Sequence, residues 1–452
     1  MYMLGPIPLW ALYGGSSVLL LATPILLFSL YVAHIHWKYS HIPSPKRASF
    51  FLGHIPDFVA MKKQRQNEFL PLADVVLKWT AEVGNLFVIF IGLRPFVISN
   101  NPEDIKLVAA DEGISKPSSF YKHLASVAGQ RFMGSSLLTI ADYPTWKPRR
   151  KLYDHTFKRS SLKELVPQFN ECVAAFLDNL RLHADGMTEV PMKEAFHNLT
   201  LSFISKVGFS SDFNQLWDCK SLGLKYATES KLSCLASISF VGVQRQISDP
   251  LFKAREECLC LLHPLEARVY RECAASMGRI GRDCIEKRIK AVTTGGEVPN
   301  DILTQILQIS CTDTSVDMET LVDDFVTFYV AGQETTANAL SFAVILIHQH
   351  PEVLDKLLSE IEDVLGDRKE VTGDDLDKLK YTEQVIQEVL RMYPTVIRMI
   401  KESPRGGLEL SGYHIPEGAS ISFFTAVMSR NPAFFNDPDT FDPSRFDVDK
   451  PR

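Results

Sequence analysis

The sequence predicts a mainly α-helical fold with small β-sheets, preceded by one transmembrane helix. Three features predict it: an uncharged N-terminal run, helical periodicity across most of Asn67 to Arg391, and short strand-like runs confined to two patches. A chain of 452 residues with 46% hydrophobic and 10% aromatic content can bury a large core. Nothing in that composition points to disorder, collagen or a disulfide scaffold. A formal charge of -6 gives no basis for nucleic acid as a partner.

No charged residue occurs from Met1 to Ala33, and Val18 to Val32 is almost continuously apolar. Roughly 20 such residues span a bilayer as a helix. The length of the run, with no Lys or Arg before it, favours an anchor over a cleaved signal peptide. Lys38, Lys46 and Arg47 follow the run, which places the body on the cytosolic side of the membrane. Residues 1–34 are therefore expected to anchor the chain. Residues 35–48, with the extended His41-Ile42-Pro43-Ser44-Pro45, form a proline-containing hinge, and residues 49–452 form the body.

In the body, Leu86–Ile91 and Pro95–Ile98 flank a turn at Gly92–Arg94 and read as a hairpin. Helices then dominate, and short strands return around Gly412–Gly418. The longest helix should run from about Asp317 to Ile347, with Asp317 and Glu319 favoured by the helix dipole in its first turn. Its near-continuous apolar sequence predicts burial almost all round. Pro351 should end it and open the next helix, Glu352 to Leu365.

In the middle of that helix stands Ala331-Gly332-Gln333-Glu334-Thr335-Thr336. A core carboxylate is costly unless paired or functional. Thr335 can bond back to the carbonyl of Ala331 and bend or open the helix, and Gly332 leaves room for a ligand near the backbone. A hydroxyl beside a carboxylate suits the holding of dioxygen and the delivery of protons. A polar kink satisfied by its neighbours fits the same residues. Glu388 and Arg391 lie three apart on another helix face, ahead of Tyr393-Pro394. Phe441-Asp442-Pro443-Ser444-Arg445-Phe446 and Trp146-Lys147-Pro148-Arg149-Arg150 complete the set.

These four segments, in this order after an anchor and proline hinge, resemble the cytochrome P450 family along essentially the whole chain. The resemblance implies a haem-dependent monooxygenase using haem b, with electrons from NADPH through a flavoprotein reductase. It implies that Thr335 stabilises dioxygen and Glu334 relays protons. Trp146, Arg150 and Lys401 would bind the haem propionates, with Lys401 where most members carry arginine. Glu388, Arg391 and Arg445 would form a structural triad. Tyr121, Leu124, Phe132, Phe328 and Ala331 would line the substrate pocket, and ordinary core packing fits each of them equally.

Lys147, Arg149, Arg150, Lys151, Lys158 and Arg159 make this stretch the most basic of the chain, a face suited to an acidic electron donor. Ile42-Pro43-Ser44-Pro45, Phe50–His54, Val298–Leu307 and Phe325–Phe328 resemble the cholesterol 24-hydroxylase subfamily, which implies an apolar, membrane-dissolved sterol as substrate. Glu257 to Val269, with Cys258 and Cys260, does not match that pattern.

Eight cysteines lie at irregular spacings, from Cys172 to Cys311, without a C-x-x-C pair, as expected of free thiols in a reducing compartment. The family's iron-ligating cysteine follows the Arg445 segment in a glycine-containing loop, and none follows here, so no metal ligand is assigned. The expectation is an incomplete copy that binds haem poorly and is itself inactive. The alternative is a haem-free, membrane-anchored isoform with a binding role.

Overall fold

The computed structural model describes residues 9–64, 71–111, 113–154, 156–210, 264–310 and 317–448. Cys219, Cys234, Cys258, Cys260, Cys311 and most of the Glu257–Val269 stretch lie outside them. The chain opens with α1 (Leu9–Lys38), α2 (Ile55–Gln64), α3 (Pro71–Val83), β1 (Leu86–Ile91), β2 (Arg94–Ser99) and α4 (Pro102–Ala110). There follow α5 (Ser118–Ala125), β3 (Ser126–Val127), β4 (Gln130–Arg131), α6 (Tyr143–Asp154), α7 (Arg159–Lys163), α8 (Val166–Leu182) and α9 (Met192–Phe203). Then come α10 (Pro264–Thr293), α11 (Ile302–Ser310), α12 (Met318–Gln349), α13 (Pro351–Leu365) and α14 (Lys380–Met392). The chain continues through β5 (Met399–Glu402), β6 (Leu408–Leu410), β7 (Tyr413–Ile415), β8 (Ser420–Phe423) and α15 (Thr425–Met428) to a 3-10 turn at Pro443–Phe446.

These elements divide into two units, one of residues 1–114 and 398–428, the other of residues 115–397 and 429–452. The first holds a four-stranded sheet of order β1-β2-β8-β5, with β2 and β8 parallel and the other pairs antiparallel. The expected hairpin is β1 and β2, with Leu86 opposite Ser99. Its apolar run is continuous because both faces are covered. Phe87 and Ile89 pack with Val75, Val76 and Trp79 of α3, while the alternating Leu86, Val88 and Phe90 pack with Ile421 and Phe423 of β8.

Helix α1 runs through Lys38, past the expected anchor end at residue 34, and carries Pro24 within it. The proline connector after it is not a free spacer. Tyr39 and Ile42 are buried against the sheet, and the Val88 N–H donates to the Pro43 carbonyl at 2.8 Å. A proline loses its N–H but keeps its acceptor, so the segment docks on β1.

The second unit is helical. Its main core joins α12 residues Phe325, Val326, Tyr329 and Val330 to Cys273, Ala274 and Met277 of α10, Leu303 and Ile306 of α11, and Phe132 and Met133 after β4. A smaller cluster gathers Leu346 of α12, Val353 and Leu357 of α13, Val385 and Val389 of α14, and Phe441. As expected, Pro351 opens the helix that ends at Leu365.

Candidate active site

Asp317 starts the long helix as an N-cap, its side chain accepting the Thr320 N–H at 2.7 Å. Among the described residues this helix, α12, is long and apolar enough to cross a membrane. Its buried stretch from Leu321 to Thr327 instead marks it as a core helix. Burial is less complete than its sequence predicts. Beyond Ala337, Leu346 packs with α13 and α14, while Val344 and Ile345 are 45% and 52% exposed.

The Thr335 hydroxyl donates to the Ala331 carbonyl at 2.7 Å, yet α12 remains α-helical from Met318 to Gln349. The predicted opening is absent because a carbonyl has two lone pairs, enough for both the ladder and the hydroxyl. Irregular backbone lies instead in the partner helix, where α9 ends in a π turn at Ile204–Gly208. Gly332 also plays another part than the one expected. A Cβ there would meet the Ile204 side chain at 3.3 to 3.6 Å, so the glycine admits a neighbouring helix.

Glu334 faces that neighbour. Its Oε2 lies 3.4 Å from His197 Nε2, and the Thr200 hydroxyl donates to the Gln333 carbonyl at 2.9 Å. The carboxylate beside His197 raises the imidazole's pKa, against the opposing effect of burial.

Two more carboxylates of α12 are buried, and sequence reasoning missed both. Asp323 takes Arg131 in a two-point grip, Nε at 2.8 Å and Nη2 at 2.6 Å, and accepts the Ser135 N–H at 2.6 Å. Gly134, at φ +44°, leaves the space where a Cβ would collide with that carboxylate. Asp324 accepts from Arg149, from the Tyr153 hydroxyl and from the Leu137 N–H at 2.7 Å. Adjacent carboxylates inside an apolar run are the signal that could have found them, since buried charges require partners.

These contacts correct the expectation of a uniformly basic face. The Arg149 side chain, 14% exposed, is committed to Asp324 and the Ser135 carbonyl. Arg150 pairs with Asp154 at 3.2 Å and Arg159 with Asp377 at 2.6 Å. Trp146 donates its indole N–H to the Leu137 carbonyl at 3.1 Å, and Lys116 sits over its ring. In the other unit, Lys401 donates to the Ile114 carbonyl at 3.1 Å, and burial pulls its pKa down.

Glu388, Arg391 and Arg445 come together. Arg391 donates to both oxygens of Glu388, at 2.6 and 2.8 Å, and Arg445 Nε lies 3.4 Å from Glu388 Oε1. Glu388 also accepts the Asp442 N–H at 2.9 Å, while Arg391 reaches the carbonyls of Ser429, Pro438 and Thr440. The group binds α14 to the segment before the 3-10 turn.

Of the expected pocket residues, Leu124 and Phe132 belong to the main core, and Tyr121 and Phe328 pack against it. Phe328 lies within 5.1 and 5.5 Å of the Tyr153 and Phe157 rings. Ala331 is exposed.

The family model for Cytochrome P450 matches residues 43–451. The chain belongs to the cytochrome P450 family. It is 28% identical over 421 residues to Cytochrome P450 4d2 of Drosophila melanogaster, covering 91% of this chain and 80% of the relative. It is 25% identical over 444 residues to Cytochrome P450 3A6 of Oryctolagus cuniculus, covering 96% and 83%. Cytochrome P450 734A1 of Arabidopsis thaliana is 26% identical over 420 residues, covering 89% and 75%.

Membership of this P450 family supports haem-dependent oxidation, with electrons supplied by a reductase. The residues here fit a haem in part. A hydroxyl and a carboxylate stand side by side on α12, and Trp146 and Arg150 share one turn of α6. Among the described residues, Cys172 and Cys273 pack in helix cores and Cys284 packs against the main core from α10, and none is assigned as a haem ligand.

Proposed function

We propose that this cytochrome P450 hydroxylates an apolar, sterol-like substrate in the manner of the cholesterol 24-hydroxylases, using dioxygen and electrons passed from NADPH through a flavoprotein reductase. The observation that carries the reading is the Glu334-Thr335 pair on core helix α12, with the Thr335 hydroxyl back-bonded to Ala331 and Glu334 held against His197.

In this reading the Thr335 hydroxyl would orient dioxygen, and Glu334 would pass protons toward it. Haem b would supply the oxygen-activating chemistry when bound. Trp146 and Arg150 would hold a carboxylate arm of it, Arg150 by giving up Asp154, and the family resemblance implies the same role for Lys401. Glu388, Arg391 and Arg445 act as a structural clamp. Tyr121, Leu124, Phe132, Phe328 and Ala331 line the substrate side.

Helix α1 supports a membrane reading. Ile25, Leu26, Leu27, Leu30 and Tyr31 are exposed on a helix whose sequence has no charge before His34 and Lys38. Residues 1–34 would anchor the protein once through the endoplasmic reticulum membrane, with 35–48 as connector and 49–452 as the cytosolic body. That location suits a substrate dissolved in the bilayer.

The exposed apolar face of α1 also fits a second reading, in which residues 1–452 act without haem as an anchored lipid-binding or partner-binding protein. Reconstitution of the native, membrane-extracted protein with reductase, NADPH and cholesterol separates the two. Hydroxylated cholesterol, with turnover reduced in Thr335→Ala, supports the monooxygenase. Cholesterol binding by a sample without haem absorbance and without product supports the second reading.

A further inference from the structure

His197 and Thr200 of α9 and Ile204 of the π turn that follows it, spaced three and four apart, meet three consecutive residues of α12. Ile204 fills the space at Gly332, Thr200 bonds the Gln333 carbonyl, and His197 faces Glu334. Two of these contacts fix the register of the helices and leave the third little freedom. His197 Nδ1 lies 2.7 Å from the Lys193 carbonyl oxygen, which can only accept, so Nδ1 carries a hydrogen in every charge state. The neutral ring must then present a bare lone pair at Nε2.

That nitrogen lies 3.4 Å from the Oε2 of the Glu334 carboxylate. A bare nitrogen facing an ionised carboxylate is repulsive, and a second proton in the gap would set two donors against each other. One proton satisfies both sides, as imidazolium with carboxylate or imidazole with carboxylic acid. We infer that His197 and Glu334 hold a single shared proton between Nε2 and Oε2, and that His197 is the positioning residue that sets the protonation of Glu334.

The use of this dyad rests on the monooxygenase reading. When the shared proton moves onto Oε2 and leaves Glu334 toward the reacting oxygen, a carboxylate and a neutral imidazole protonated at Nδ1 remain. Solvent then returns one proton to the pair, so each cycle balances. Titratable and charged groups lie on the elements packed around the dyad among the described residues. Cys172 of α8 packs in the same cluster as Phe196 and Ala337, and its thiol pKa is raised by burial. Lys193 opposes the imidazolium charge from the same helix, and Lys206 of the π turn is paired with Glu171. The raised imidazole pKa agrees with the shared proton. A raised histidine pKa stabilises the fold below its ordinary 6.5, and that gain is lost as pH rises through the folded value.

The test is a pH titration of the 452-residue chain, labelled with nitrogen-15 histidine, by long-range proton–nitrogen NMR. The expected result is Nδ1 protonated throughout and Nε2 losing its proton above the ordinary histidine range. In Glu334→Gln, with its melting temperature as a check on folding, proton binding at Nε2 should weaken about tenfold or more. His197→Gln should remove the assigned signal and confirm its identity. A titration equal in wild type and Glu334→Gln, or a ring bare at Nδ1, overturns the proposal. The spectra need no haem. A shared proton found here without turnover in the reconstituted protein therefore overturns the reaction and leaves the dyad standing.

Discussion

Arg149 and Asp324, 175 residues apart in the chain, form a buried ion pair that fastens α6 to the core helix α12. Tyr153 and the Leu137 N–H converge on the same carboxylate. Burial pushes the Asp324 carboxyl up even with a guanidinium beside it, as expected where desolvation outweighs a single charge.

Asp324→Asn should therefore be severely destabilising, because it leaves Arg149 buried without a carboxylate. Breaking one partner of a buried pair costs about 3–5 kcal/mol. Urea unfolding followed through the tryptophan of α6 checks this, and a loss under about 1 kcal/mol would show that the pair is not buried in solution.

The Glu388 clamp should behave in the same way. Glu388 is fully buried and accepts from Arg391 and the Asp442 N–H, with Arg445 alongside. Arg391→Ala should cost about 3–5 kcal/mol and loosen the segment from Asp437 to Phe446. Hydrogen exchange of the Asp442 amide reports it directly, and unchanged protection would contradict the clamp.

Lys147 and Lys151 are exposed cations of α6 suited to an electron-donor contact, whereas Arg149 is accounted for within the fold. Lys147→Gln should slow reductase-driven turnover several-fold at low salt and less at high salt, without changing substrate affinity. Equal rates across salt concentrations would remove this surface from the account.

Acid stability should depend on Asp375. Arg368 holds its carboxyl far below the usual range, and Thr372 adds hydrogen bonds from its hydroxyl and backbone N–H. A depressed carboxyl pKa stabilises the fold above its unfolded value of about 3.9, and that contribution is lost as pH falls toward the folded value. Melting temperature against pH should fall less steeply on the acid side in Asp375→Asn than in wild type. Identical acid limbs would contradict the assignment.

Local features were legible in the sequence. The hairpin of β1 and β2, the helix start near Asp317, the Pro351 start and the Glu388–Arg391 spacing all rest on residues within a few positions of each other, where periodicity and local helix signals act. What escaped reading depends on distant partners. Nothing near Glu334 announces His197, and nothing near Arg149 announces Asp324, so Arg149 reads as one more surface cation until α12 is placed beside it. The parallel pairing of β2 with β8 is equally remote in sequence. Gly332 was misread for a related reason: a glycine that admits a helix and one that admits a ligand look the same in one dimension.

The central claim is tested most directly by supplying the native, membrane-extracted protein with reductase, NADPH, cholesterol and heavy-oxygen-labelled dioxygen, then analysing the sterol by mass spectrometry. The account predicts a hydroxylated cholesterol carrying one labelled oxygen atom. A haem-loaded sample that consumes NADPH and leaves cholesterol unlabelled would contradict it.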